Sequence, residues 1–322
     1  MHVRVAGTGR YLPGRVLDNR ELAALAGVSE EWIVRRTGIH QRRCAAEGEG
    51  VSAMAVPAAR AALKAAGLPA EALDVIILAT TTPDHLTPPS ACELQAELGA
   101  FGAASFDVEA GFAGWLYALV LGESLLRAGT GKAALIVGVE KLSTITDRAD
   151  PSTGPLFGDG AGAVVLTRGE GPLGILSTSW WADGRLADAL QRPAGGALRP
   201  FDAAVLFEGA HLLRMEGSRL FKAAVRTMAQ QAYAALERAG LSIADIGLVI
   251  PHQANLRIIE GLIREMELDP ARVLVNIHRY GNTGSATIPI ALDEAVRSGR
   301  AVGPLLLVSF GAGATAGAAV LG

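Results

Sequence analysis

The sequence has few cysteines and no long apolar run, and each shortage excludes a class of protein. Two cysteines among 322 residues cannot form a disulfide framework, which indicates a reducing compartment. No apolar run reaches the ~20 residues that span a bilayer, and the best candidate, residues 111–120, is cut off by Glu123. The first residues lack the basic-then-apolar pattern of a signal peptide. We therefore expect a cytoplasmic protein with no membrane span.

An excess of charge of one sign is also lacking. The 29 basic and 32 acidic residues give a net charge of −3, so no patch for nucleic acid or an anionic membrane is expected. The histidines are scattered and neither cysteine has a close partner at metal-ligand spacing, so we expect no metal site. Apolar residues make up 50% and charged residues 19% of the chain, which excludes disorder and allows a large core.

Apolar runs of strand length alternate with amphipathic stretches of helix length, which is typical of an α/β fold. Strands are predicted at 3–8, 74–82, 104–108, 133–140, 160–167, 173–180, 245–251, 273–277, 304–310 and 316–321. Helices are predicted near 20–26, 30–36, 52–66, 90–99, 112–128, 210–240, 255–266 and 285–299.

Four segments of the first half recur in the same order in the second half, which indicates an internal duplication. The matched segments are 73–84 with 246–256, 105–129 with 274–299, 132–140 with 303–311, and 158–166 with 312–321. The halves are predicted to be 1–171 and 172–322, with the chemistry where strand ends of both halves meet. The glycine turns at 111–114 and 281–284 occupy equivalent places, each between a strand and a helix, where backbone N–H groups favour negative charge.

The strongest local signal is PHQAN at 251–255, in which His252 follows a buried strand. A histidine at a strand end is often purely structural. Asn282, on the second glycine turn, favours a functional interpretation, because neutral imidazole and carboxamide groups can both donate hydrogen bonds to a thioester enolate.

Six motifs together resemble the β-ketoacyl-[acyl carrier protein] synthase III family. They are PHQANLR (251–257), the GN turn at 281–282, FGDGAGA (157–163), EWIVRRTGI (31–39), FDV-x₄-AG (106–114) and SFGAG (309–313). The family initiates type II fatty acid synthesis, and the resemblance implies a duplicated thiolase-like αβαβα sandwich and a homodimer. Chalcone-synthase and HMG-CoA-synthase relatives share the histidine and asparagine, but their chains are longer and PHQANLR fits them less well.

The resemblance also implies site residues. The family uses a Cys-His-Asn triad, whose positions here are Phe112, His252 and Asn282. Backbone N–H groups of Phe112 and Ala312 would form the oxyanion hole. The implied substrates are acyl-CoA and malonyl-[acyl carrier protein], and no cofactor is implied.

Further residues of the chain match binding positions of the family. Those matching substrate-binding positions are Trp32, Arg36, Thr87, Gly217 and Phe310. Those matching carrier-protein positions are Lys222, Gln253, Ala254, Asn255, Leu256 and Arg257. In the family, the segment around Thr87 reaches across the dimer to cap the partner's acyl pocket.

The chain departs from the family at its nucleophile, because Phe112 stands where the family has cysteine. Cys44 lies in a polar segment and Cys92 on a helix, so neither is expected to replace it. We therefore expect a scaffold for condensing an acyl-CoA primer with malonyl-[acyl carrier protein] that cannot condense as written. A malonyl-thioester decarboxylase, a non-catalytic acyl- or carrier-protein-binding partner and an engineered nucleophile substitution remain alternatives at this point.

Overall fold

The computed structural model describes residues 2–322. The strands are β1 (Val3–Tyr11), β2 (Arg15–Asp18), β3 (Gln41–Cys44), β4 (Val75–Ala79), β5 (Ala104–Val108), β6 (Ala133–Lys141), β7 (Asp159–Arg168), β8 (Ile175–Ala182), β9 (Leu190–Gln191), β10 (Arg214–Met215), β11 (Leu248–Pro251), β12 (Leu305–Gly311) and β13 (Thr315–Leu321). The helices are α1 (Asn19–Ala26), α2 (Glu30–Thr37), α3 (Val51–Ala66), α4 (Ser90–Leu98), α5 (Gly114–Ala128), α6 (Ala203–Phe207), α7 (Gly217–Ala239), α8 (Leu256–Glu265), α9 (Ile277–Tyr280) and α10 (Thr287–Arg297).

Two large sheets repeat the same strand order. The first runs β1-β7-β6-β4-β5 and the second β8-β13-β12-β11. In each, two neighbouring strands are parallel (β4 with β6, and β11 with β12), and the next two pairings are antiparallel. This correspondence is what a duplicated chain requires, while the boundary between 171 and 172 remains a prediction.

The helices and sheets form five layers in the order αβαβα. Helices α3 and α4 cover the outer face of the first sheet, and α7 and α8 cover the outer face of the second. Helices α5 and α10 lie between the sheets and contact strands of both. Because the strands are buried on both faces, they read as unbroken apolar runs, such as VIILA in β4, rather than as alternating ones.

The strand predicted at 273–277 is wrong except at its first residues. Val273 makes one parallel bridge to Val249, and Leu274 N–H donates to the Val249 carbonyl at 2.9 Å. The side-chain oxygen of Gln253 then accepts from the N–H groups of Asn276 (2.9 Å) and Ile277 (3.1 Å). A side chain therefore takes the backbone donors that a longer strand would need.

The helix predicted to begin at residue 210 begins instead at Gly217. The apolar residues before it belong partly to β10, which pairs with β9. Glu216 N–H continues this pairing by donating to the Ala189 carbonyl at 2.8 Å. The short antiparallel pair of β2 and β3, which α1 and α2 separate in the chain, is not among the predicted strands.

Among residues 2–322, none of the helices has both the length and the apolar character required to cross a membrane.

Candidate active site

A cavity of about 570 Å³ lies at the ends of the strands of the second sheet and beside the first glycine turn. It brings together most of the residues that the sequence singled out. Those lining it are Trp32, Arg36, Phe112, Gly217, Lys222, His252, Ala254, Asn255, Arg257, Asn282 and Phe310. The two halves of the chain therefore meet at one site.

His252 follows the last residue of β11 and is almost completely buried, with 1% of its surface exposed. Its backbone N–H donates to the Val308 carbonyl at 2.8 Å, which fixes it to β12. Burial without an ionic partner lowers the pKa of His252 to about 3, so the ring is neutral near pH 7. Its Nδ1 lies 2.6 Å from Thr287 Oγ1, and Nε2 has no partner among residues 2–322.

Asn282 is held on its turn by its own side chain and by the segment beside it. Its Oδ1 accepts from Gly284 N–H at 2.9 Å, and its backbone N–H donates to the Leu156 carbonyl at 2.9 Å. Because Oδ1 is occupied, the NH₂ group is the end of the amide left to meet a ligand. His252 and Asn282 thus both line the cavity with neutral side chains.

Phe112 stands at the turn that precedes α5, and its ring faces the same cavity. The ring is 7% exposed and packs edge-on against Phe157, with centroids 5.9 Å apart. The centroid of the His252 ring lies 5.8 Å from it on another side. The structure therefore places an apolar ring in the cavity beside His252, while the match of this position to the family's nucleophile remains a prediction.

Two glycines bring the proposed oxyanion N–H groups close together. A Cβ atom on Gly111, which has φ +53°, would lie 2.6 Å from the Ala312 nitrogen. A Cβ on Gly311 would collide with the Phe112 nitrogen. Only glycine permits this approach of the turn before α5 to the end of β12. The oxyanion role of Phe112 and Ala312 remains a prediction.

Trp32 and Arg36 lie one helical turn apart on α2, at the mouth of the cavity. Ser29 begins this helix by accepting from Trp32 N–H at 3.1 Å, and Gly38 ends it in the left-handed conformation. The Arg36 guanidinium lies 5.6 Å from the centre of the Trp32 ring, within cation–π range. The pair offers an aromatic face beside a positive charge.

Asn255 and Gln253 have structural roles that the sequence did not reveal. Asn255 begins α8, because its Oδ1 accepts from Arg257 N–H at 2.9 Å, and its Nδ2 donates to the Arg36 carbonyl at 3.2 Å. Gln253 is 1% exposed, and besides its two acceptor contacts it donates to the carbonyls of Pro251 and Leu274. A carrier protein cannot reach Gln253 in this structure, which corrects that assignment.

Four predicted residues do not line the cavity: Gln253, Thr87, Ala312 and Leu256. Thr87 is exposed on the segment before α4, so its predicted role depends on a partner subunit. Leu256 packs against Gly38 and joins α8 to the end of α2.

The sequence did not indicate the side chains that form hydrogen bonds with His252 and Phe112. Thr287, the first residue of α10, contacts His252 Nδ1, and Ser309 Oγ donates to the Phe112 carbonyl at 3.0 Å. Ser309 lies in the SFGAG motif, whereas no sequence signal connects Thr287 with a histidine 35 residues away.

Glu140, in β6, is a buried carboxyl group beside the site. It accepts from the hydroxyls of Thr81 (2.9 Å), Thr82 (2.8 Å) and Ser285 (2.7 Å), while burial raises the pKa of Glu140. Ser285 Oγ also lies 3.4 Å from the Gly111 carbonyl. This cluster therefore ties together the two glycine turns.

No group of three or more His, Cys, Asp or Glu side chains within residues 2–322 is arranged to hold a metal ion.

Comparisons with known proteins identify the family. The family model for 3-oxoacyl-[acyl-carrier-protein] synthase III matches residues 106–184, and the model for its C-terminal part matches residues 236–322. A β-ketoacyl-[acyl-carrier-protein] synthase III from Roseiflexus castenholzii is 46% identical, with 98% of this chain and 97% of that protein aligned. The one from Aquifex aeolicus is 44% identical, with 100% and 99% aligned.

Solved structures agree with the sequence matches. The crystal structure of the 3-oxoacyl-[acyl-carrier-protein] synthase III from Aquifex aeolicus superposes with a TM-score of 0.92 at 44% identity, covering 99% of both chains. That of the Thermus thermophilus synthase gives 0.91 at 43% identity, covering 99% of this chain and 98% of the other. The predicted duplicated thiolase-like αβαβα fold is thereby confirmed.

Proposed function

This chain belongs to the 3-oxoacyl-[acyl-carrier-protein] synthase III family, and from that membership we propose that it is a condensing-enzyme scaffold of fatty acid biosynthesis that keeps only the decarboxylating half of the reaction. It binds acyl-CoA and malonyl-[acyl carrier protein] but forms no acyl-enzyme. The observation that carries the proposal is that His252, Asn282 and Phe112 line the same cavity, in which Phe112 offers no nucleophile.

Decarboxylation needs only what the site retains. The C–C bond to the malonyl carboxylate breaks and CO₂ leaves. The electron pair of that bond stays with the thioester and is delocalised onto its oxygen, which forms an enolate. Hydrogen bonds from neutral His252 and from the Asn282 NH₂ group stabilise that oxygen in a site of low dielectric constant. A proton from water then converts the enolate carbon into the methyl group of an acetyl thioester.

Phe112 removes the other half of the reaction. Condensation requires an acyl group on the enzyme, and a phenyl ring can neither attack a thioester nor carry one. The ring instead lies against Phe157 and next to His252, filling apolar space beside the reacting atoms. It thereby resembles a permanently acylated site, which supports binding of the malonyl thioester without transfer.

The test compares the chain with its Phe112→Cys and Phe112→Ala variants. Each is supplied with malonyl-[acyl carrier protein] and an acyl-CoA, and both CO₂ and the 3-oxoacyl product are measured. We expect CO₂ alone from the Phe112 chain and both products from Phe112→Cys. Phe112→Ala is the matched control, because it removes the ring without supplying a thiol, and it should release CO₂ without condensing.

Two results would contradict the proposal. Condensation by the Phe112 chain would show that a different group carries the acyl chain. Absence of CO₂ release from every variant, with carrier protein still bound, would leave a non-catalytic binding partner as the function. A His252→Ala variant checks that any CO₂ released comes from this site.

The binding surfaces of the proposed scaffold surround the cavity mouth. We infer that Trp32 and Arg36 stack on and pair with CoA, which their position on the cavity and their mutual contact support, and that Gly217 and Phe310 line the path of the acyl chain. Lys222 on α7 and Arg257 on α8 are exposed and positively charged, which supports a role for both in binding an acidic carrier protein.

The proposal includes a homodimer. Strand β5 lies at the edge of the first sheet, where a second copy could continue the pairing. In that dimer Thr87 would cap the partner's pocket, and its small side chain would leave room for branched or medium-length acyl groups. Sedimentation at micromolar concentration tests the dimer, and a monomer would remove the role of Thr87.

A further inference from the structure

Thr287 makes the only hydrogen bond to the ring of His252 among residues 2–322. It lies behind the ring and outside the cavity lining, with 2% of its surface exposed. Its Oγ1 is 2.6 Å from Nδ1, and it makes no other hydrogen bond within the described part of the chain. The contact therefore decides which nitrogen of the neutral ring carries the proton.

The two possible tautomers differ in how many buried polar groups they leave unsatisfied. If Nδ1 carries the proton, it donates to Thr287, and the Thr287 hydroxyl proton has no acceptor while Nε2 has no donor. If Nε2 carries the proton, the Thr287 hydroxyl donates to Nδ1, and only the Nε2–H group lacks a partner. Buried polar groups without partners are costly, so the second arrangement is favoured.

From this count we infer that Thr287 is a positioning residue that holds His252 as the Nε2–H tautomer, with its donor directed at the substrate oxygen. The inference rests on the proposed function for its kinetic consequence, but not for the tautomer itself. An Nε2–H group can donate a hydrogen bond to the oxygen of an enolate.

The direct test is nitrogen NMR on protein labelled with ¹⁵N-histidine, near pH 7.5 and without substrate. The resonances of His252 are identified by their loss in a His252→Asn variant. We expect an NH-type shift at Nε2 and an unprotonated, hydrogen-bonded shift at Nδ1. An Nδ1–H tautomer in the unmodified chain would overturn the inference, whatever the variants do.

Variants of Thr287 provide the second test. Thr287→Val keeps the shape of the side chain but loses the hydroxyl, so the Nδ1 shift should move toward that of a free imidazole nitrogen. The turnover number for CO₂ release should fall about ten-fold, with little change in KM. Thr287→Ser should restore both. An unchanged Nδ1 shift in Thr287→Val would contradict the inference.

A control variant separates positioning from general loss of stability. Thr146 is also buried, and its hydroxyl donates to the Leu142 carbonyl at 2.6 Å, outside the cavity lining. Thr146→Val should lower stability without changing the His252 shifts or the turnover number. If no variant releases CO₂ but the tautomer is Nε2–H, the proposed function fails while the assignment of Thr287 is supported.

Discussion

At residue scale, burial fixes the protonation state of His252 over the whole physiological range of pH. Its ring has no carboxylate partner, so desolvation acts alone and lowers its pKa to about 3. The same desolvation makes the folded chain less stable relative to the unfolded chain at acidic pH. An unfolded chain binds a proton on this histidine near pH 6.5, and the folded chain resists it.

We therefore predict that stability falls as pH drops from 6.5 toward 4. Since the folded pKa is the lower one, the contribution of His252 is complete above pH 6.5 and is lost at about 1.4 kcal/mol per pH unit below it. Urea unfolding of the chain and of His252→Gln at several pH values measures this slope, which the variant should lack.

His278→Gln is the matched control for that measurement. The pKa of His278 is also lowered, chiefly by burial, but the residue is exposed and its contribution should be smaller. Equal slopes for the chain and for His252→Gln would show that His252 is protonated freely in the folded state.

At element scale, α7 and α8 carry the two basic residues proposed to bind the carrier protein, which we call the docking rim. Lys222 lies in the second turn of α7 and Arg257 in the first turn of α8, and both border the cavity. The whole chain is slightly acidic, so attraction for an acidic carrier protein has to come from such local groups.

Reversing one charge of this rim should weaken docking in a salt-dependent way. We predict that Arg257→Glu lowers the association rate with carrier protein several-fold at low salt, and that the difference shrinks at high salt. Stopped-flow binding measures it. Arg60→Glu, on the distant outer helix α3, is the control and should leave the rate unchanged. Unaltered binding by Arg257→Glu would show that the carrier protein docks on another surface.

The elements also show how far the sequence could lead. The buried strands and the long helices were predictable, because unbroken apolar runs and helical periodicity report burial directly. The strand at 273–277 was not, since its backbone donors go to the side chain of Gln253, a contact across more than 20 residues. For the same reason Gln253 looked like a surface residue of its motif.

For the site, too, the residues in local motifs were predictable, whereas those that act through distant contacts were not. His252 and Asn282 were recognisable from motifs and lie on one cavity, whereas Thr287 and Glu140 were not singled out. Their roles depend on which elements pack together, and local sequence carries no trace of that.

At the scale of the whole molecule, a buried charge joins the two halves. Asp293 on α10 is completely buried, accepts from Thr8 Oγ1 at 2.8 Å, and pairs with Arg10 at 2.9 Å and Arg297 at 2.8 Å. Thr8 and Arg10 lie on β1, so this cluster fastens the first sheet to a helix of the second half.

We predict that Asp293→Ala lowers the free energy of unfolding by about 3 kcal/mol, the lower end for breaking a buried pair, because both arginines can turn to water. Chemical denaturation with circular dichroism measures this. Asp188→Ala, which breaks the exposed pair with Arg219, should change little. If Asp293→Ala lowers the free energy of unfolding no more than Asp188→Ala does, the Asp293 cluster does not hold the two halves together.

The intact surroundings of Phe112 have a consequence for heredity. Phenylalanine and cysteine codons differ only in their second base, and the neighbouring glycines, His252 and Asn282 already stand in place. A single T-to-G change would therefore supply the thiol that the proposed function lacks. Selection for growth in a host without its own initiating synthase should recover such mutants at the frequency of a point mutation.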